Sequence, residues 1–197
     1  MTKRVVFIGA AGSGKSTIVT DVVTQLKKNG ANAEHVPEMI RYDIQQNGPM
    51  ESVWEQYRAV LNQQKYEDSI PENVDYAIID SGCLTPYFYA CLYTSTASER
   101  ERLVLADMFK YLIDIIYKKR YDYIFFLPGK LTKEKTGIDG IIKDGTRYQS
   151  EEELNILDEH MELMFTRVLK SNNIHKLDCS LEDRMQEVLN IITAEKA

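Results

Sequence analysis

The chain has 197 residues, 44% hydrophobic and 27% charged, with a formal net charge of −6. That length and apolar content suit one α/β domain with a full core, read here as 1–197. The acidic balance argues against bulk nucleic-acid binding, which needs a basic face, yet leaves room for a local cationic pocket around a phosphorylated ligand.

Arg4 to Ile8 reads as the first strand. A helix begins at Lys15 and runs to about Asn29-Gly30, with Gly30 as its stop. A short strand, about Ala33 to Val36, precedes Pro37. The helical stretch after it is broken by the turn Asn47-Gly48-Pro49. Glu51 to about Ser69 is again helical, ended by Pro71. Tyr76-Ala77-Ile78-Ile79-Asp80 is a buried-strand run. Ser98 with Glu101 forms a capping box for a helix reaching about Lys119. Tyr121 to Leu127 is the next strand, ended by Pro128-Gly129. Residues 130–149 show little periodicity and read as a mobile loop. Ser150 and Glu153 make a second capping box, and Leu154, Leu157, Met161, Met164 and Val168 form the apolar stripe that follows. Ile174 to Leu177 is a fifth strand, and Ser180 with Asp183 opens the last helix. This alternation implies a mostly parallel sheet with helices on both faces.

Between the first strand and helix lies Gly9-Ala10-Ala11-Gly12-Ser13-Gly14-Lys15-Ser16-Thr17. Gly9, Gly14, Lys15 and Ser16 complete the pattern GxxxxGK[ST]. Its glycines let backbone N–H groups converge on phosphates, and the helix start adds its positive end. Lys15 can reach the β- and γ-phosphates and Ser16 can ligate magnesium. The loop therefore points to binding of a nucleoside triphosphate with Mg2+. Asp80, at the end of a buried strand, is the candidate carboxylate for that ion, with a turn-capping role as the alternative. Asp122 precedes its strand and so lies at the wrong end.

Strand carboxyl ends face the ligand crevice in such sheets, which places Glu38 near the loop. A carboxylate there can take a proton from a substrate hydroxyl. Arg41, one turn on, can pair with a phosphate; a capped helix start with a solvated arginine is the alternative. In the segment before the 150s helix, Lys143 and Arg147 can neutralise a transferring phosphoryl group from a lid that closes over it. His35, His160 and His175 lack metal-ligand spacing. Tyr42, Trp54, Tyr57 and Tyr66 read as core packing. Cys83, Cys91 and Cys179 form no CxxC pair or Cys/His cluster, so zinc is not expected. No segment approaches the roughly 18 apolar residues of a membrane span. We expect a soluble cytoplasmic protein.

The phosphate loop, Pro37-Glu38-x-x-Arg41 and Asp144-Gly145-x-Arg147 together resemble small P-loop kinase-like proteins. They look like the ribosylnicotinamide kinase domain of the NadR type and related AAA-domain-like ATPases, many encoded by bacteriophages. The resemblance spans roughly residues 4–170. It implies a three-layer P-loop NTPase fold, five parallel strands of order 2-3-1-4-5, and ATP-dependent phosphoryl transfer. By motif position it implies Glu38 and Arg41 at the acceptor, Asp80 at magnesium, and Asp144 with Arg147 in a lid of about 129–150. The expected activity is a small-molecule kinase acting on a nucleoside, nucleotide or ribosyl acceptor. An ATP-binding regulatory ATPase working through a protein partner stays open. So does a nucleoside monophosphate kinase, for which Arg41, Arg58 and Arg147 are the candidate phosphate ligands. A GTPase switch fits poorly, because the Asn/Thr-Lys-x-Asp guanine-reading motif is missing. The acceptor's identity and the oligomeric state are left undetermined.

Overall fold

The computed structural model describes residues 1–129 and 148–194. Its strands are β1 (Lys3–Ile8), β2 (Ala33–Val36), β3 (Tyr76–Asp80), β4 (Tyr123–Phe126) and β5 (Ile174–Lys176). They pair in parallel, in the order β2-β3-β1-β4-β5, the order the family resemblance implies. Val36 stands opposite Ile79, Phe7 opposite Asp80 and Ile8 opposite Phe126. The carboxyl ends of β1 to β4 therefore line one edge of the sheet.

Side-chain alternation along β1 builds two cores. Val6 and Ile8 join Ile79, Ile124 and Phe126 on one face. Val5 and Phe7 join Ile78 and Phe125 on the other, where the Phe7 and Phe125 rings stack at 5.3 Å. A strand buried on both faces reads as a continuous apolar run, which is why β1 and β3 are plain in the sequence. Each large apolar side chain buried this way contributes roughly 1.5–3 kcal/mol.

Seven helices are present among the described residues: α1 (Lys15–Lys28), α2 (Met39–Asn47), α3 (Val53–Asp68), α4 (Thr85–Leu92), α5 (Glu99–Tyr117), α6 (Glu151–Leu163) and α7 (Leu181–Thr193). α1 and α7 cover one face through Ile18, Val19, Val22, Val188 and Ile192. α3 to α6 cover the other through Val60, Phe88, Leu112, Ile116 and Leu157. Both expected capping boxes form, at Ser98 with Glu101 and at Ser150 with Glu153. None of these helices is long and apolar enough to cross a membrane.

Two local expectations need correction, and one helix, α4, was not among the expected elements. α3 starts at Val53 rather than Glu51, because Ser52 takes the cap and accepts the Glu55 N–H. α4 carries apolar residues on most of its surface, with Pro86, Phe88 and Ala90 buried, so it has no polar face to give a helical period. Val168 leaves the expected stripe and is 52% exposed. The chain widens into a π turn over Met164–Val168, which shifts the side-chain register by part of a turn. Most of the expected lid, including Lys143, Asp144 and Arg147, lies outside the described residues.

Ser98→Ala removes the side-chain acceptor for the Glu101 N–H at the start of α5. It is expected to cost about 1 kcal/mol of stability, read from urea denaturation, with Ser98→Asp close to wild type.

Candidate functional site

Residues 9–17 join β1 to α1 at the carboxyl edge. The loop closes on a Ser13 N–H to Ala10 carbonyl bond of 3.2 Å. Gly14 enters α1 with φ of 90°, a left-handed conformation that only glycine adopts at little cost. Lys15 is buried, and its Nζ donates to the carbonyls of Gly9 at 2.8 Å and Ala10 at 3.0 Å. An ammonium has three donors, so this grip on the loop still leaves it one for an incoming phosphate oxygen.

The end of β3 meets the start of α1. Ser16 Oγ donates to Asp80 Oδ2 at 2.6 Å. Asp80 Oδ1 is buried and has no hydrogen-bond partner among the described residues. The carboxylate is therefore not spent on capping the following turn. A hydroxyl and a carboxylate with one unsatisfied buried oxygen form a hard-oxygen donor set. Magnesium is commonly held by one or two such protein groups, completing its shell with phosphates and water. These residues thus fit the ion that the loop motif implies.

Glu38 follows β2 and occupies the capping position of α2, yet its side chain makes no capping bond. It lies 3.7 Å from Arg41 Nη2, and 19% of the Glu38 side chain and 34% of the Arg41 side chain are exposed. Burial raises the Glu38 carboxyl from its ordinary value of 4.5, and the Asp80 carboxylate raises it further, against the pull of Lys15 and Arg41. Two carboxylates and one ammonium thus share a small region, an arrangement that recurs where proton transfer or metal binding takes place.

One crevice of about 350 Å³ connects Lys15, Ser16, Glu38 and Arg41, with Asp80 joined to it through Ser16. Gly12, Gly14, Lys15, Ser16 and Thr17 line one half, and Glu38, Arg41, Ile44, Met50 and Tyr89 line the other. Tyr148 and Gln149, where the described chain resumes, also border it.

Two lining residues went unnoticed in the sequence. Gln56 on α3 is 2% exposed. Its Nε2 donates to the Met50 carbonyl at 3.0 Å, and its Oε1 is buried with no partner among the described residues. Arg184 on α7 is 1% exposed and donates from Nη1 to the Ser13 carbonyl at 3.1 Å, bracing the phosphate loop from behind. Both were detectable as polar residues on an apolar stripe. The buried positions of α3 are Val53, Gln56, Ala59, Val60, Gln63 and Glu67, and those of α7 are Arg184, Val188, Leu189 and Ile192.

Other sequence candidates lie elsewhere. Arg58 is exposed and does not line the crevice. Tyr42, Trp54 and Tyr66 are 49%, 50% and 39% exposed, so the core-packing reading fails for them; Tyr57 does pack against the core. His160 meets Phe88 edge-on at 5.2 Å, outside the crevice. Asp122 Oδ2 accepts the Arg4 N–H at the opposite edge of the sheet. The described residues contain no group of three His, Cys, Asp or Glu side chains able to hold a metal ion.

A parallel sheet of this order, with a glycine-rich loop and a buried lysine at the edge of β1, defines a P-loop kinase-like NTPase. The chain belongs to the AAA domain family, whose model matches residues 4–184. The fold is similar to that of a NadR protein solved in complex with NR, with a TM-score of 0.69 and 19% identity, covering 98% of this chain and 51% of that one. It is also similar to deoxyadenosine kinase from M. mycoides with bound dATP, with a TM-score of 0.59 and 13% identity over 97% of this chain and 99% of that one. The chain thus spans about half the length of the NadR protein. No curated protein matches the sequence.

Because Glu38 is raised in the folded state, its ionisation weakens the fold as pH climbs from its ordinary value towards the folded one. Glu38→Gln carries no such cost. Relative to wild type, the metal-free variant is expected to gain stability as pH rises from about 4 to about 7, measured by urea denaturation at each pH.

Proposed function

We propose that the protein is an ATP- and magnesium-dependent kinase that transfers the γ-phosphoryl group to a hydroxyl of a nucleoside or similar ribosyl compound. One observation carries this reading. A carboxylate unused in capping, Glu38, faces the same crevice as Lys15 and Ser16, the latter bonded to Asp80, beside a mostly apolar chamber large enough for a ring.

In this reading the loop amides and Lys15 hold the triphosphate. Ser16 and Asp80 would hold magnesium, which when bound neutralises charge on the phosphates. Glu38 takes the proton of the acceptor hydroxyl as its oxygen bonds to the γ-phosphorus and the bond to the bridging oxygen of ADP breaks. Arg41 steadies the Glu38 charge or an acceptor oxygen. The Gln56 oxygen accepts an N–H or O–H from the acceptor ring, since a buried acceptor left without a partner costs about 1–3 kcal/mol. Asp144 and Arg147 keep the lid role that the family resemblance implies. The free cysteines Cys83, Cys91 and Cys179 support a reducing cytoplasmic location.

The described acceptor half supports a nucleoside over a monophosphate. Its only arginine, Arg41, already lies beside Glu38, and Glu51 adds a second carboxylate. A regulatory ATPase acting through a protein partner would have no need of an acceptor chamber. Turnover assays with ATP, magnesium and a panel of nucleosides, mononucleotides and nicotinamide riboside separate these readings. Phosphoryl transfer that depends on a nucleoside-type acceptor is expected. Slow hydrolysis indifferent to every acceptor, but stimulated by a protein, would replace the kinase reading with the regulatory one.

Lys15→Ala is expected to remove most turnover, because among the described residues only Lys15 places an ammonium at the Gly9 and Ala10 carbonyls, whereas Arg184 reaches the loop at Ser13. Glu38→Gln should bind ATP normally and transfer at least about 100-fold more slowly, the lower end of a general-base contribution. Gln56→Leu should raise the acceptor KM about tenfold and leave the KM for ATP unchanged; an effect on ATP instead would remove Gln56 from the acceptor site.

A further inference from the structure

Behind the crevice wall, which Gln63 reaches, the buried face of α3 carries a polar cluster centred on Glu67 that the reaction does not use. Glu67 is fully buried. Both its oxygens lie 3.0 Å from Tyr121 Oη, and Arg120 approaches at 3.2 Å. Gln63 Nε2 donates to Glu67 Oε1 at 3.3 Å.

Each neighbour passes the contact on. Tyr121 Oη accepts the Cys83 N–H at 2.9 Å, three residues after Asp80. Gln63 Oε1 accepts the Met39 N–H at 2.9 Å, and Gln63 Nε2 also reaches the Pro37 carbonyl at 3.4 Å. Those two residues flank Glu38. One carboxylate therefore stands behind both of the candidate site acids, Glu38 and Asp80.

The direction of every bond follows from Glu67. An ionised carboxylate only accepts. Tyr121 must turn its O–H towards Glu67, which leaves its lone pairs to the Cys83 N–H. Gln63 must turn its NH2 towards Glu67, which aims its carbonyl at the Met39 N–H. Burial pushes the Glu67 carboxyl up, and Arg120 pulls it back. Burial and Glu67 hold the Tyr121 phenol well above its ordinary value, keeping it a donor.

The turn held in this way resists relaxation. Ser81, which is not glycine, has φ of 64°. At Gly82 a Cβ would sit 2.7 Å from Val6 Cγ2 and 2.9 Å from Tyr121 Oη. The Asp80 turn is thus pressed against the phenol in a conformation that L residues rarely adopt.

We propose that Glu67 is a positioning residue that, through Gln63 and Tyr121, sets the placement of the Glu38 strap and the Asp80 turn relative to each other. The assignment goes beyond the kinase reading and relies on it only for the catalytic readout.

Amide hydrogen exchange by NMR on the whole chain tests it. In Glu67→Gln, exchange at Met39 and Cys83 should quicken about tenfold or more relative to the β1 amides. Tyr121→Phe should release Cys83 alone, and Gln63→Leu should release Met39 alone. These single-arm variants decide the question if Glu67→Gln does not fold. With ATP and a productive acceptor, kcat should fall about tenfold or more in each, with the KM for ATP within about twofold. Wild-type protection at both amides in Glu67→Gln, or faster exchange spread evenly through the sheet, overturns the proposal. If wild type phosphorylates no nucleoside, the kinase reading fails, and the exchange pattern still decides the role of Glu67.

Discussion

The parallel pairing of β1 with β3 is the constraint on which the rest of the site depends. It sets Phe7 opposite Asp80, so the phosphate loop leaves the sheet beside the one strand that ends in a carboxylate. The 2.6 Å bond from Ser16 to Asp80 follows from that register. In a parallel sheet every strand delivers its carboxyl end to the same edge. β2 therefore brings Glu38 to the crevice without any special device. A slip of one residue in β3 would turn Asp80 towards the opposite face and separate it from Ser16.

The electrostatics of the site follow from the same crowding. Glu38 and Asp80 repel each other beside a crevice lined by the cations Lys15, Arg41 and Arg184. Bound phosphates would compete with the two carboxylates for those cations. Nucleotide phosphates alone would add to the negative charge, whereas a divalent cation brought with them offsets it. The donor set at Ser16 and Asp80 and the raised Glu38 carboxyl are thus two aspects of one distribution of charge.

Much of this was legible in the sequence, for identifiable reasons. The strands buried on both faces, β1 and β3, left continuous apolar runs, and the phosphate loop left a fixed spacing of glycine, lysine and serine. Ser98 with Glu101 and Ser150 with Glu153 announced their helices through local chemistry that tertiary structure did not override. What escaped detection has at most a weak local signature, such as a polar residue on an apolar stripe. α4 is apolar over most of its surface, so its period is hidden. Gln56, Gln63 and Glu67 fall on the buried stripe of α3, and a polar residue there acquires meaning only once its distant partners are known, such as Met39, 24 residues from Gln63, and Tyr121, 54 residues from Glu67. Glu38 and Asp80 were found by position, but that neither is used in capping could be learned only from their bonds.

The contact between Arg184 and Ser13 spans 171 residues of chain. During synthesis the loop is made before the side chain that braces it, which emerges only with α7. Until residue 184 has left the ribosome, the phosphate loop lacks that brace. Its final form thus waits on the packing of α7 against α1, and completion of the nucleotide site is tied to a segment made 171 residues after the loop.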